Sequence, residues 1–235
     1  MSSAAPVHPL QADYPLFGLV LRTPRLALRP IWEADLPEMA DASAAGMHDP
    51  DVMPFASPWS RGTRDEILHG TAGSVWTERA TRTPEAWTLS LSVRRADADV
   101  QAWWEAPVIG RQDLRAHRFP LLRSIETGSW LTRSQQGQGL GAEMRQAAVL
   151  FALDHLGATE MTSGAYEWNA ASLGTSRSVG YVPNGVRRVA VEARAETEQL
   201  VRLTRETHRR PDWELEVQGD LPGILAELGI THQSL

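Results

Sequence analysis

Residues 126–141 read ETGSWLTRSQQGQGLG and run directly into AEMRQAAVLFALDHLG, which ends at Gly157. Residues 125–131 are rich in β-branched and aromatic side chains and predict a strand. Residues 132–138 are polar without a period and predict a loop. From Leu140 onward, Met144, Ala147, Ala148, Phe151 and Leu156 recur at helical spacing, and Gly157 stands where a helix-closing glycine belongs. A strand therefore hands over to a helix through a glycine-punctuated loop. Gly137, Gly139 and Gly141 alternate there, and without Cβ atoms they let a ligand approach the backbone. The unpaired N–H groups and positive dipole end of the helix favour an anion, most naturally a phosphate.

Two familiar phosphate loops are excluded by spacing. Gly-x-Gly-x-Gly is not the Gly-x-Gly-x-x-Gly of a dinucleotide fold, and no acidic residue follows at the required point on a second parallel strand. No lysine follows the last glycine, so the stretch is not a nucleoside-triphosphate loop.

The chain of 235 residues is long enough for one generous domain. Its 42% apolar and 22% charged residues are ordinary for a soluble globular protein, and no apolar run nears the roughly 20 residues that span a bilayer. Residues 1–17 have neither a basic nor an apolar leader region, so no secretory signal is expected. Absence of cysteine excludes disulfides, thiolate metal sites and a cysteine nucleophile, and fits a cytoplasmic protein. A net charge of −6 gives no general attraction to nucleic acid. Every basic chain is arginine, which with the many alanines suits a GC-rich bacterial genome. The nine tryptophans serve core packing, or wall a pocket.

Residues 1–20 lack periodicity and read as an extended arm. Residues 21–30, LRTPRLALRP, alternate apolar residues with arginine and predict a half-exposed strand. A short helix follows over 33–42. Residues 46–62 are broken by Gly and Pro yet too apolar for a linker, so they are expected to pack over something. Thr63 with Glu66 forms a capping box opening a helix to about residue 80. Strands are predicted over 87–95, 107–114 and 160–166, with 96–105 either a hairpin loop or a short strand through 100–104. A helix spans 170–179, and a final hairpin uses 185–192 and 200–205, with 193–199 open to helix. The tail after 208 shows one apolar turn, ILAEL. The order of elements argues for a single mixed α/β domain.

Gln136-x-x-Gly139-x-Gly141 resembles the Gln/Arg-x-x-Gly-x-Gly/Ala signature of the GNAT acyl-CoA N-acyltransferases. Asn169-x-x-Ser172 followed by Gly180-Tyr181 resembles a second segment of that family, one helix and one strand further on. LRTPRLALRP is similar to the first strand of the subgroup that acetylates ribosomal-protein N-termini, and GMHDPDVMPFASPW, TGSWL, GAEMRQAAVLFA and SRSVGY resemble mycobacterial N-succinyltransferase-type members. The resemblance implies an α/β GNAT fold over residues 21–207, between an arm (1–20) and a tail (208–235). Its sheet would be mixed, mostly antiparallel, splayed at the CoA-binding strand and flanked by helices. It implies acyl transfer from acetyl-CoA or succinyl-CoA to a primary amine by direct attack in a ternary complex, without a metal. The amine belongs to a small molecule or a protein; no nucleic acid or membrane partner is implied, and the apolar 46–62 segment and the tail leave room for a homodimer. Two rivals remain: a catalytically silent acyl-CoA-binding module, and an antibiotic-modifying acetyltransferase.

Carried over residue by residue, the main-chain amides of Gln136, Gly137, Gln138, Gly139, Leu140, Gly141 and Ala142 would hold pyrophosphate. The strand edge at Trp130, Leu131 and Thr132 would pair with pantetheine, as strand addition by a ligand. Asn169 either reaches pantetheine or caps its helix. Ser176 falls where many members carry a tyrosine and joins the CoA contacts. Arg133 and Arg177 would meet CoA phosphates or simply face solvent. Ser172 is the candidate donor to the departing thiolate, or a hydroxyl bonded to the helix backbone. Glu126 and Glu192 compete as general base, each alternatively a solvated carboxylate, and a water chain can replace both. His48 and Asp49 lie where the family roofs its acyl or acceptor pocket, though Asp49-Pro50-Asp51 also reads as a turn. Arg111, Arg115, His117, Arg118 and Arg123 form a basic cluster, a site for an acidic ligand or a solvated face.

Overall fold

A computed structural model of the chain describes residues 5–97 and 102–230. Its elements in order are β1 (Val20–Arg22), β2 (Leu26–Pro30), α1 (Leu36–Ala44), α2 (Arg64–Ala80), β3 (Ala86–Arg95), β4 (Val108–His117), α3 (Phe119–Leu122), β5 (Ser124–Leu131), α4 (Leu140–Asp154), β6 (Glu160–Tyr166), α5 (Ala170–Val179), β7 (Val182–Val191), β8 (Arg194–Thr204), β9 (Glu216–Gln218) and α6 (Leu221–Glu227). The strands form one sheet in the order β7-β8-β6-β5-β4-β3-β2-β1-β9. Neighbours are antiparallel except β5 and β6, which run parallel across the crossover helix α4. This is the mixed, mostly antiparallel α/β sheet flanked by helices that the family resemblance implies. No described helix is long and apolar enough to cross a membrane.

The local signals explain most elements. Thr63 accepts the Glu66 N–H while the Glu66 carboxylate accepts the Thr63 N–H, the capping box that starts α2. Twelve of the fifteen residues of α4 are buried, so it is a central helix rather than an amphipathic surface one. Phe151, Val149, Ala147 and Met144 join Leu21, Leu28, Leu91 and Leu203 in the main core.

Four expectations differ from the structure. Residues 21–30 are not one half-exposed strand but two antiparallel strands, and β2 is buried along its whole length. Pro24 has no N–H to continue a ladder, and the buried Glu143 carboxylate holds the turn, taking the Thr23 hydroxyl at 2.6 Å and the Arg25 N–H at 2.8 Å. Nor is the arm extended: a 3₁₀ turn at Pro15–Gly18 drives Leu16 and Leu19 into the core. Residues 194–199 lie in β8, held by register against β6 and β7, rather than in a helix. In the 96–105 stretch, Trp103–Glu105 is a 3₁₀ turn, while 98–101 fall outside the described residues. The segment after 208 supplies β9, which pairs Val217 with Leu21 at the sheet edge, and α6, whose Glu227 accepts the Leu16 N–H at 2.8 Å.

Burial also ties this fold to pH. His155 and His208 are both held below the ordinary histidine value of 6.5, in each case first by desolvation. A lowered folded pKa means that the unfolded chain takes up protons first. Their contribution is therefore full above about pH 6.5 and lost as pH falls through the folded values. The urea midpoint should drop between pH 7.5 and 5, before the paired carboxylates titrate, and the double variant His155→Gln/His208→Gln should flatten that drop.

Candidate active site

The loop between β5 and α4 is shaped by two glycines in the left-handed region, Gly137 (φ +74) and Gly139 (φ +80). Gly139 is the N-cap of α4 and offers no side chain to it, and the first intrahelical bond runs from the Glu143 N–H to the Gly139 carbonyl at 3.1 Å. Among the described residues, the N–H groups of 137–142 have no hydrogen-bond partner, those of 139–142 because they open the helix. The Gln136 N–H differs, being bonded to the Arg133 carbonyl at 3.2 Å. Its side chain is a clamp instead, donating to the carbonyls of Leu131 at 2.9 Å and Met47 at 2.7 Å. A Cβ on Gly137 would meet nothing within 4 Å, so an anion can reach this cradle.

Sequence reasoning missed what holds the cradle in place. The Arg25 guanidinium donates through Nε to Glu143 Oε2 at 2.7 Å and through Nη1 to the Gln138 carbonyl at 3.0 Å. Arg25 thus ties the β1–β2 turn to the loop and brings a positive charge beside Gly139. The phrase TPRL carried it, but its partner lies 118 residues away.

The strand on which this loop hangs parts from its neighbour. β5 and β6 pair only from Ser124↔Glu160 to Glu126↔Thr162, while β6 continues against β8 to Tyr166. Two side-chain bonds close the ladder: Thr127 Oγ1 to the Thr162 carbonyl at 3.3 Å and Ser163 Oγ to the Thr127 carbonyl at 3.0 Å. Beyond them the strands diverge. The wedge is part of a cleft of about 1460 Å³ that runs from the glycine loop past the inner end of β5 to α2.

Trp130, Leu131, Gln136, Gly137, Gly139, Gly141, Ala142, Glu126, His48, Asn169 and Ser172 all line that cleft. Thr132 is buried beside it, its N–H bonded to the Ile109 carbonyl at 2.8 Å; Leu140, buried in the core, and Gln138, exposed, do not line it. Trp59 packs on Trp130 with ring centroids 6.2 Å apart, so the 46–62 segment roofs the end of β5. Asn169 Oδ1 caps α5 by accepting the Ser172 N–H at 3.1 Å.

Several candidates are placed elsewhere. Glu192 occupies the β7–β8 turn at φ +51, paired with Arg61 at 2.8 Å and outside the cleft. Ser176 is buried beneath α5, where its carbonyl takes the Gly180 and Tyr181 N–H groups that end the helix. Arg177 is exposed with its guanidinium by Gly174, and Arg133 faces solvent. Asp49 accepts the Asp51 N–H at 3.0 Å, the turn that Asp-Pro-Asp predicts. His48 contacts the Asp49 carbonyl through Nδ1 at 2.8 Å; a carbonyl only accepts, so Nδ1 carries the proton and Nε2 faces the Ser60 hydroxyl at 2.7 Å.

The wall of the cleft formed by α2, β4 and β5 is a chain of alternating charges. Arg111 donates to Asp113 at 2.6 Å and to Glu78 on α2 at 2.8 Å, and Arg115 bridges Asp113 at 2.6 Å and Glu126 at 3.7 Å. Asp113 is thereby fixed between two cations. Glu126 has a side chain 61% exposed, 3.7 Å from Arg115, and feels the charge of Arg187 as well. Tyr166 also lines the cleft; burial, then the charges of Glu198 and Glu196, raise its hydroxyl above the ordinary value and keep it protonated.

A family model described as an acetyltransferase (GNAT) domain matches residues 25–182. Among solved structures, RimJ of Mycobacterium smegmatis in complex with a CoA-disulfide is similar at 17% identity and a TM-score of 0.61, covering 81% of this chain and 88% of that one. RimL, a ribosomal L7/L12 α-N-protein acetyltransferase in complex with coenzyme A, gives 14% and 0.59, covering 77% and 95%. A ribosomal-protein-S5-alanine acetyltransferase from Vibrio fischeri gives 15% and 0.57, covering 83% and 98%. At such identities the structures speak for the fold, whereas the family model spans two thirds of the sequence and includes the glycine loop, the splayed strand and α5. The chain belongs to the GNAT acetyltransferase family.

Proposed function

We propose that this protein moves an acyl group from a coenzyme A thioester to a primary amine, by direct attack in a ternary complex. The observation that carries the reading is the run of unpartnered N–H groups at 137–142, opening beside a strand edge that no neighbour covers. Pyrophosphate would sit on those amides at the positive end of α4. Pantetheine would then lie along residues 129–131 in the wedge, with Asn169 and Ser172 on its far side. The amine would approach from the α2 wall, where Glu126, directly or through water, would take its proton. Neither a metal nor a covalent intermediate is required by this path.

The family's description favours acetyl-CoA as donor; the TGSWL and GAEMRQAAVLFA stretches favour succinyl-CoA. The L7/L12- and S5-type acetyltransferases with the same fold suggest the α-amine of a ribosomal protein as acceptor, which would place the reaction in the cytoplasm. Native mass spectrometry of the purified chain should reveal a CoA species, and its mass identifies the acyl group. Release of free thiol with a panel of N-terminal peptides then separates an enzyme from a silent binding module. A chain that retains no CoA and binds neither acyl-CoA when titrated would overturn the assignment.

A further inference from the structure

Arg145 is a buried guanidinium with no carboxylate beside it among the described residues. The residue is 3% exposed, and its bonds among the described residues go to hydroxyls: Nη1 to Ser163 Oγ at 3.3 Å and Nη2 to Ser129 Oγ at 3.1 Å. Its Nε is buried without a partner, and its carbon lies 5.7 Å from the Tyr181 ring centroid. The other arginines lining the cleft are neutralised: Arg111 by Asp113 and Glu78, Arg115 by Asp113 and Glu126, Arg187 by Glu198. An uncompensated buried ion is costly, and a neutral amide would bridge two serines at lower cost. A ligand's charge is the missing partner.

Position says which charge. Ser129 and Ser163 stand on the two sides of the wedge, just past the last β5–β6 ladder pair, and Arg145 reaches between them from α4. Arg145 follows Gly139 by about 9 Å along the helix axis. A tail anchored by its phosphates at 137–142 and laid along the free edge of β5 therefore ends against this guanidinium, where the wedge closes.

We propose that Arg145 holds the negative charge of the departing CoA thiolate, a role resting on the acyl-CoA reading above. The amine lone pair attacks the thioester carbon, forming the C–N bond and moving the π pair onto oxygen. As that pair returns, the C–S bond breaks and its electrons go to sulfur, opposite Arg145. The surplus proton on nitrogen passes to Glu126 or through water to solvent, and the thiolate takes a proton from water as CoA leaves. The neutral thioester leaves Arg145 unpaired in the ground state, while the developing thiolate pairs it. That difference is what accelerates a reaction, since only interactions stronger in the transition state lower the barrier.

The test is the ionisation of bound CoA, followed by ultraviolet absorbance of the thiolate with desulfo-CoA as blank, using the full chain. The titratable groups facing the throat are the Tyr181 hydroxyl, bonded to Thr127 at 3.2 Å, and farther up the walls Asp113, Glu126 and Glu198, each beside an arginine, with Tyr166 on β6. In the wild type the bound thiol should ionise about 1–3 units below free CoA. Arg145→Met should return it to the free value and lower kcat by about 100-fold with little change in KM, while Arg145→Lys keeps part of both effects. An unshifted thiol in the wild type overturns the proposal whether or not the variants fold. Tighter binding of succinyl-CoA than acetyl-CoA by tenfold or more, with an unshifted thiol, assigns Arg145 to the acyl chain and equally overturns it. Absence of CoA binding removes the acyl-CoA reading and this proposal together, whereas binding with an ordinary thiol removes this proposal alone.

Discussion

Gly139→Val is expected to weaken acyl-CoA binding by about a thousandfold while leaving the chain folded. Gly139 holds φ +80 at the N-cap of α4, and a β-branched residue there costs about 1–2 kcal/mol before any contact is considered. The steric term is small, because the nearest atom to a new Cβ is the flexible end of Arg25, at 3.4 Å. The loop is exposed at 136–139, so it can relieve the strain by turning its peptide planes. That relief withdraws two or three N–H groups from the anion, and hydrogen bonds to a charged group contribute about 1.5–3 kcal/mol each. Gly139→Ala, without the branch, should lose only about tenfold, in line with its smaller left-handed penalty. Titration calorimetry with CoA measures both, and a thermal melt within a few degrees of wild type shows that the fold survives. If Gly139→Val binds CoA like the parent, pyrophosphate does not rest on these amides.

The parts of this site that the sequence made legible are those that depend on neighbours in the chain. The strand over 125–131, the glycine loop and the helix after it were readable because period, glycine spacing and helix-end chemistry are local. Asn169 as an N-cap and Thr63 with Glu66 as a capping box belong to the same class. What escaped was long-range. Glu143 is an ordinary polar residue in a helix until the β1–β2 turn folds onto it and Arg25 completes the pair. Alternation across 21–30 suggested solvent on the arginine face, but Arg29 turns inward to a carboxylate on the next element. Arg145 sits in an apolar helical run where no local rule distinguishes it from a solvated charge. Glu192 entered as a base candidate through the family resemblance alone, and its left-handed turn and Arg61 hold it outside the cleft. Charge placement in this protein is decided by topology, and topology is the part of the fold that periodicity does not encode.

Asp35→Asn should cost the fold about 3–5 kcal/mol, the usual consequence of removing one partner of a buried ion cluster. The Asp35 carboxylate is 1% exposed and accepts four bonds: Arg29 at 2.6 Å, Arg94 at 2.7 Å, the Trp32 N–H at 2.9 Å and the Ser92 hydroxyl at 3.2 Å. Arg29 and Arg94 are 5% and 3% exposed, and the Nε of each is already without a partner. An amide in place of the carboxylate retains the shape but turns an NH₂ group toward cations and leaves two buried charges against one half-exposed Glu38. For a chain of 235 residues, this loss corresponds to a fall of about 6–20 °C in Tm. Acyl-CoA should still bind below that melting point, because the cluster lies on β2, β3 and the start of α1, not on the glycine loop. The compensating variant decides the cause. Replacing the three ions together, as Arg29→Met/Asp35→Leu/Arg94→Met, should recover most of the lost stability, since an apolar set of similar volume needs no counter-charge. Calorimetric melts of the single and triple variants make the comparison; a triple variant as unstable as Asp35→Asn would mean that the cluster's geometry, rather than its stranded charge, supports this corner of the sheet.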